Sequence, residues 1–275
     1  MEKYVADATY FFANGGNILN GLKELYDYRE MLFNLVKKDL RTRYRGSILG
    51  FLWTFVNPLL QLVVYTFVFS TIMRAGIDKY YIYLFVALVP WIFFSTAITA
   101  SASSIIANKD LIKKIYFPRL IIPMAVVNGA FMNMIFTMIV VFVALIFSGV
   151  GISKYIVFLP IIMLLEYLLA LGLSFIVAAL NVYFRDLEHI LGIVTMAWMY
   201  ATPIMYDINM VPEDMRSIFN LNPMTSIISA IRSILYYKTM PDLSHMGLIF
   251  IWSIGFIIIG YLVFQKLQRG FAEEL

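Results

Sequence analysis

The chain contains no cysteine, so it holds no disulfide and no thiolate metal site. Only two histidines are present, His189 and His245, far apart in sequence and placed at opposite faces by the apolar pattern, which argues against a zinc protease or another histidine-rich metal centre. Charge is scarce as well: 14% of residues are Asp, Glu, Lys or Arg. A water-soluble domain covers its surface with roughly a quarter charged residues. No GxxxxGK[ST] occurs; the nearest approach, GNILNGLK at 16–23, is interrupted by Leu22, so no phosphate-binding P-loop is expected. No cleavable secretion signal is expected either, because the first long apolar run begins near residue 51, behind a polar leader.

What remains is apolar. Hydrophobic residues make up 61% of the 275 positions and mean hydropathy is +0.82. Lipid is therefore the main solvent. A span needs about 20 apolar residues to cross a ~30 Å hydrocarbon core. Six stretches qualify: Leu52–Met73, Tyr81–Ala107, Ile121–Ser148, Tyr155–Val182, Ile190–Tyr206 (shorter, with Pro203 near its end) and Gly247–Gln265. The fold class expected is an all-α polytopic membrane protein with six transmembrane helices. Fifteen of the 21 Lys and Arg residues fall in segments 1–51, 108–120, 183–189 and 266–275, and six fall in the alternate loops. The positive-inside rule then sets both termini in the cytoplasm. Residues 1–27 read as a cytoplasmic leader of no assigned role, and 28–275 as the transmembrane domain.

Before the first span, residues 27–45 lack Pro and Gly and suit a helix. Lys37, Arg41 and Arg45 stack along one line, with Lys38 beside them, while Met31, Leu32, Leu35 and Val36 fall on another side. Arg43 breaks the pattern and has no assigned role. Such a helix lies in the membrane interface with its basic side among phosphates or acidic protein, or it serves only to anchor topology. No groove reader or stacking platform accompanies it, so nucleic acid is excluded as a partner.

Between spans two and three, Asn108 suits an N-cap, Asp110 the first turn, and Lys113 and Lys114 the last, all matched to a helix dipole. Pro118 ends the segment. Between spans five and six lie about 40 residues with helix signals of their own. Pro212 with Glu213 and Asp214 reads as a first turn with Pro at N1. Asn222-Pro223 ends that piece, and Ile227, Ile228, Ile231, Ile234 and Leu235 then recur at helical spacing. Two short amphipathic helices on or dipping into the outer face are expected; an ordered loop is the alternative. Glu166 is the one carboxylate inside the spans. It is either a functional group or a hydrogen-bonding partner to a neighbouring helix. Trp53, Tyr65, Phe69, Trp198 and Tyr200 are packing residues, belt residues or lining for a path that stacks on sugar rings.

Taken in order, RYRGSILGFLWTFVNPLLQ at 43–61, KDLIKKIYFPR at 109–119, NVYFRDLEHIL at 181–191, TPIMYD at 202–207, LNPMTSII at 221–228 and the tail KLQRGFAEEL resemble one family over residue 28 to the end. The chain is similar to the membrane subunit of ABC-2 type exporters, of the branch that moves O-antigen polysaccharides and wall teichoic acids. The resemblance implies a homodimer with two copies of a separate ATPase subunit below, which hold the ATP and Mg. It implies no cofactor and no catalytic residue on this chain. The substrate implied is a polymer on undecaprenyl pyrophosphate, crossing the cytoplasmic membrane between the two permeases. Tyr28–Arg45 becomes an interface helix, Asn108–Ile115 (with Lys109, Leu111 and Ile112) the helix that couples to the ATPase, and Pro212–Phe219 and Met224–Tyr237 gate helices. A permease for a lipid or a drug has the same layout. An ion-coupled transporter needs more buried charge than Glu166.

Overall fold

The structure, a computed structural model, describes residues 18–44, 46–74 and 76–275. All its regular elements are helical, with no strand among the described residues. Helices α1 (Ile18–Asp27) and α2 (Arg29–Tyr44) come first. A 3-10 turn at Gly50–Leu52 leads into α3 (Trp53–Thr66), which widens into a π-helical end at Phe67–Ile72. Next come α4 (Tyr80–Ala102), α5 (Ser104–Ala107) and α6 (Lys109–Lys114), then α7 (Ile121–Phe147). A 3-10 turn at Lys154–Phe158 runs into α8 (Leu159–Tyr183), followed by α9 (Leu187–Tyr200). After a 3-10 turn at Ile208–Met210 lie α10 (Glu213–Leu221), α11 (Pro223–Leu235) and α12 (Leu243–Leu267). The chain closes with a 3-10 turn at Gln268–Gly270 and α13 (Phe271–Glu274).

Among the described residues, five helical runs are long and apolar enough to cross a membrane: Gly50–Ile72, Tyr80–Ala102, Ile121–Phe147, Lys154–Tyr183 and Leu243–Gly270. The sixth expected span differs. Helix α9 has 14 residues, which at 1.5 Å each covers about 21 Å, short of the ~30 Å core. Residues 201–206 extend it as turns instead of helix, since Pro203 cannot continue the hydrogen-bond ladder. Together they still join the two ends of the bundle. Helix α8 ends beside Leu267, where the Tyr183 hydroxyl donates to the Leu267 carbonyl (2.7 Å). At the other end, Tyr80 and Tyr83 donate to the carbonyls of Met205 and Tyr206 (2.6 and 3.1 Å).

Helix α4 is the centre of the bundle: 78% of its apolar window is buried, against 11% for the run containing α3. Pro90 sits inside α4 and Pro58 inside α3, both buried, as spanning helices tolerate when neighbours surround the break. Helices pack through small residues and inter-helix hydrogen bonds, the devices expected where lipid removes the hydrophobic drive between helices. The most extensive contact is between α8 and α12. There Gly172 lies against the backbone of Phe256, and Gly260 against the backbone of Gly172. Ser253 donates to the Leu165 carbonyl (2.7 Å), and Ser174 donates to Ala97 in α4 (3.2 Å). Tyr167 of α8 donates to Asn128 of α7 (3.1 Å). At the end of α7 the chain turns back because Gly149 and Gly151 adopt φ of 71° and 72°, letting the Gly151 amide donate to Leu145 (2.8 Å).

The two short helices expected before the last span are both present, with different surroundings. No residue of α10 is buried. Helix α11 is enclosed by α4, α8 and α12, with Met224, Ile227, Ile228, Ile231 and Ile234 buried. Pro212 is the N-cap of α10 and not its first helical residue, whereas Pro223 does occupy the first turn of α11.

Candidate functional site

One end of the bundle gathers the basic elements. Helix α2 turns Met31, Leu32 and Leu35 toward the core and leaves Lys37, Lys38 and Arg41 exposed. Arg45 lies outside the described residues. The helix docks on α7 where Gly129 has no side chain: the Asp39 carboxylate oxygen is 2.6 Å from the point a Cβ would occupy.

Helix α6 carries Asp110 in its first turn and Lys113 and Lys114 in its last, as the dipole argument requires. None of its residues is buried. Asn108 precedes it, but its side chain makes no cap. The amide donates back to the Ser104 carbonyl (2.9 Å) and the oxygen accepts from Lys38 (3.4 Å). Asn108 thus stands at the N-cap position as expected, and what differs is its side chain, which at this backbone conformation (φ −110°, ψ 21°) makes no capping bond. Tyr116 adds a second tie to the N-terminal helices, donating to Glu24 (3.4 Å) while its carbonyl accepts from Tyr28 (3.5 Å). Burial raises the Glu24 pKa above the usual carboxylate value, with the Tyr116 hydroxyl opposing that shift.

Helices α4, α5 and α6 form one nearly continuous run, interrupted only at Ser103 and Asn108. The far end of α4 reaches a network that sequence reasoning missed. Arg232 of α11, 4% exposed, donates Nε to the Tyr83 carbonyl (3.3 Å) and its two terminal nitrogens to the carbonyls of Pro203 and Ile204. Its guanidinium carbon lies 3.6 Å from the Tyr83 ring centroid. Tyr83 and Tyr237 both donate to the Asp207 carboxylate (3.5 and 3.1 Å). Asn222 joins the same region. Its oxygen accepts from the Met224 amide as the N-cap of α11 and from Trp198 Nε1 (2.9 Å), and its amide donates to Ala201 and Thr202. The sequence showed Arg232 only as one of six basic residues outside, and Asn222 only as a helix stop.

The five singled-out aromatics do not share one surface within the chain. Trp53 is exposed, donates Nε1 to Ser47 (3.0 Å) and borders a cavity of about 200 Å³ between α3, α4 and α7, which Asn57, Thr96, Asn133 and Thr137 also line. Phe69 faces a second pocket, beside Met73, Met205, Met210, Met215 and Phe219, between the π-helical end and α10. Tyr65 is half-buried on α3, and Tyr200 is exposed at the end of α9. Trp198 is half-buried, held by Asn222 and edge-on to Phe94 (5.1 Å). Glu166 is fully buried in α8, and neither carboxylate oxygen has a hydrogen-bond partner among the described residues. The expectation that it bonds a neighbouring helix is therefore corrected. His189 and His245 stand at opposite ends, the latter 3.1 Å from the Ser226 hydroxyl. No cluster of His, Asp or Glu suited to a metal ion occurs among the described residues.

The profile of the family described as ABC-2 type transporter matches residues 30–236. The O-antigen export system permease protein RfbA of Myxococcus xanthus is 36% identical over 256 residues, covering 92% of this chain and 98% of that protein. A permease of the same name from Klebsiella pneumoniae is 34% identical over 247 residues, 90% of this chain and 95% of the relative. The polysialic acid transport protein KpsM of Escherichia coli is more distant, 23% identical over 203 residues, 72% and 78% of the two chains. The family match runs through α2, the α4–α6 run and Arg232. The chain belongs to the ABC-2 type transporter family.

Proposed function

We propose that this chain is the permease subunit of an ATP-driven exporter that carries a lipid-linked surface polysaccharide across the cytoplasmic membrane. The observation that carries the reading is the near full-length match to permeases named for O-antigen export. Both termini and α6 then face the cytoplasm, in keeping with the fifteen basic residues at that end. The α9 helix and residues 201–206 make the fifth of six crossings. Two copies of the chain enclose the path. The exposed apolar side chains of α3 and α9, such as Leu60, Val63 and Val64 on the first and Ile193 and Met196 on the second, supply surface for that pairing. Two copies of a separate ATPase subunit hold ATP and magnesium below. The polymer is O-antigen or a capsule-like relative, or wall teichoic acid, on undecaprenyl pyrophosphate.

The geometry gives the coupling a physical form. Closure of the ATPase pair displaces α6, and the α4–α6 run carries that displacement as a near-rigid rod. Its far end holds Tyr80 and Tyr83, which contact Met205, Tyr206 and Arg232 beside α10 and α11. A push at the cytoplasmic end thus reaches the outer short helices without unfolding any span. Reversing charge with Asp110→Lys plus Lys113→Glu is expected to abolish most polymer-stimulated ATP hydrolysis in the reconstituted complex while the permease still inserts. Unchanged stimulation would remove α6 as the ATPase contact.

Lys37, Lys38 and Arg41 face outward from α2, where a lipid pyrophosphate would approach. Each basic residue near an anionic surface contributes about 1 kcal/mol, so alanine at all three should weaken binding of the pyrophosphate lipid by up to ~3 kcal/mol. Equal binding by mutant and parent in a vesicle titration would contradict this role.

A further inference from the structure

A six-residue helix has no stability of its own, since isolated helices become marginal below about 12–15 residues. Helix α6 has no fully buried side chain: Leu111 and Ile112 are half-buried against the core, and its last turn is followed by extended backbone at Ile115. Those two side chains seat one face, and the direction of the helix is set further by what grips its two ends. The N-terminal grip is Asn108, through Ser104 and Lys38. The other grip is the C-terminal turn of the chain, which neither the relatives' names nor the coupling motif accounts for.

We propose that residues 268–275 form a strap that sets the direction of α6, and that Arg119 is the positioning residue that fastens it. The inference rests on the reading of α6 as the ATPase contact. Four observations converge on this turn. The Lys113 ammonium, in the last turn of α6, donates to the Leu275 backbone oxygen (2.8 Å). Arg119, one residue past Pro118 and just before α7, donates to the Gln268 carbonyl (2.5 Å) and lies 5.7 Å from the Phe271 ring centroid. Phe271 is fully buried, edge-on to Phe264 (5.6 Å) and tilted against Tyr183 (6.3 Å). Gly270 lies directly on the Tyr183 hydroxyl, where a Cβ would collide, while that hydroxyl donates to Leu267 (2.7 Å).

The strap thus ties three cytoplasmic features together: the segment behind α6, the end of α8, and the end of α12. Because α12 continues through Gln268–Gly270 into α13 without a linker, a displacement of α6 has a second route into the bundle. That route enters α12 directly and reaches α8 through the Gly172–Gly260 contact. Arg119 acts only through the strap. It is a positioning residue and not a contact for ATP or polymer.

The chain has no cysteine, so spin labels can be placed at Lys109→Cys and Glu274→Cys with no background from this chain, and labelled before the ATPase is added. In the full permease–ATPase complex, the distance between them is expected to be narrowly distributed. Arg119→Met and, separately, Phe271→Ala should broaden it, and Arg119→Lys should keep much of the narrow component because one donor still reaches the Gln268 carbonyl. Polymer-stimulated ATP hydrolysis in Arg119→Met should fall about tenfold, the scale set by loss of one charge-assisted hydrogen bond. A distribution that stays narrow in both Arg119→Met and Phe271→Ala overturns the strap. Broadening with full polymer stimulation overturns its positioning role, whereas the reading of α6 as the ATPase contact stands or falls separately on the Asp110→Lys plus Lys113→Glu reversal. If Phe271→Ala fails to fold, the Arg119→Met and Arg119→Lys pair decides the matter.

Discussion

Gly172→Leu is expected to prevent α8 and α12 from packing and to leave little folded permease in the membrane. A Cβ at Gly172 meets the backbone carbonyl of Phe256 and the amide of Ile257, and a Cβ at Gly260 lands on the backbone of Gly172. These neighbours are main chain within two long helices, so no rotamer change relieves the collision. Overpacking at such a contact costs about 1–3 kcal/mol for a small addition and more for a large one. Even Gly172→Ala should therefore lower the unfolding temperature in detergent. The control lies in the same helix as Gly260. Nothing approaches within 4 Å of a Cβ at Gly255, so Gly255→Ala should stabilise α12 by up to ~1 kcal/mol, the ordinary helix-propensity gain. Opposite signs at the two glycines would separate close approach from propensity. A rise in unfolding temperature for Gly172→Ala would contradict the packing described.

Arg232→Met is expected to cost about 3–5 kcal/mol, the range for removing one partner from a buried charged network. The guanidinium is the donor for three main-chain carbonyls, those of Tyr83, Pro203 and Ile204, and it covers the Tyr83 ring. Methionine fills comparable volume but donates nothing, so three carbonyls lose their charged donor. Two of them belong to the turn that follows α9, where a cation also favours the negative end of the helix dipole. Segment 201–210 should detach, exposing it to protease added from the outer side, with α10 following. Arg232→Lys should recover only part of the loss, because one ammonium cannot span carbonyls on both sides of the side chain. Unaltered thermal stability in Arg232→Met would show that the network is not what holds this end closed.

Much of this architecture was legible from the chain alone, for reasons that differ by element. A span is readable because lipid demands a minimum apolar length, and α4, α7 and α12 satisfy it without ambiguity. Helix α6 was readable because Asp110, Lys113 and Lys114 answer a local dipole, which needs no tertiary information. Helix α2 was readable from a different local signal, the separation of Met31, Leu32 and Leu35 from Lys37, Lys38 and Arg41 around the helix. The length of α9 was less readable. Its composition is that of a span, but Pro203 and the Arg232 donors replace its last turn with a non-helical stretch. The role of Arg232 depends on partners 28 and 149 residues away, and nothing local announces them. Gly172 and Gly260 carry the same limitation, since a glycine that permits close approach looks in sequence like any other helical glycine. Glu166 was singled out as costly in the membrane, yet no helix among the described residues supplies a hydrogen bond to it.

The central claim is that this chain passes a surface polysaccharide through the cytoplasmic membrane. Its most direct test is deletion of the gene with complementation, followed by chemical analysis of polymer at the cell surface and inside the cell. The account predicts that the surface polymer disappears while lipid-linked polymer continues to be made and accumulates inside, and that the intact gene restores export. Surface polymer of unchanged amount and chain length in the deletion strain would contradict it.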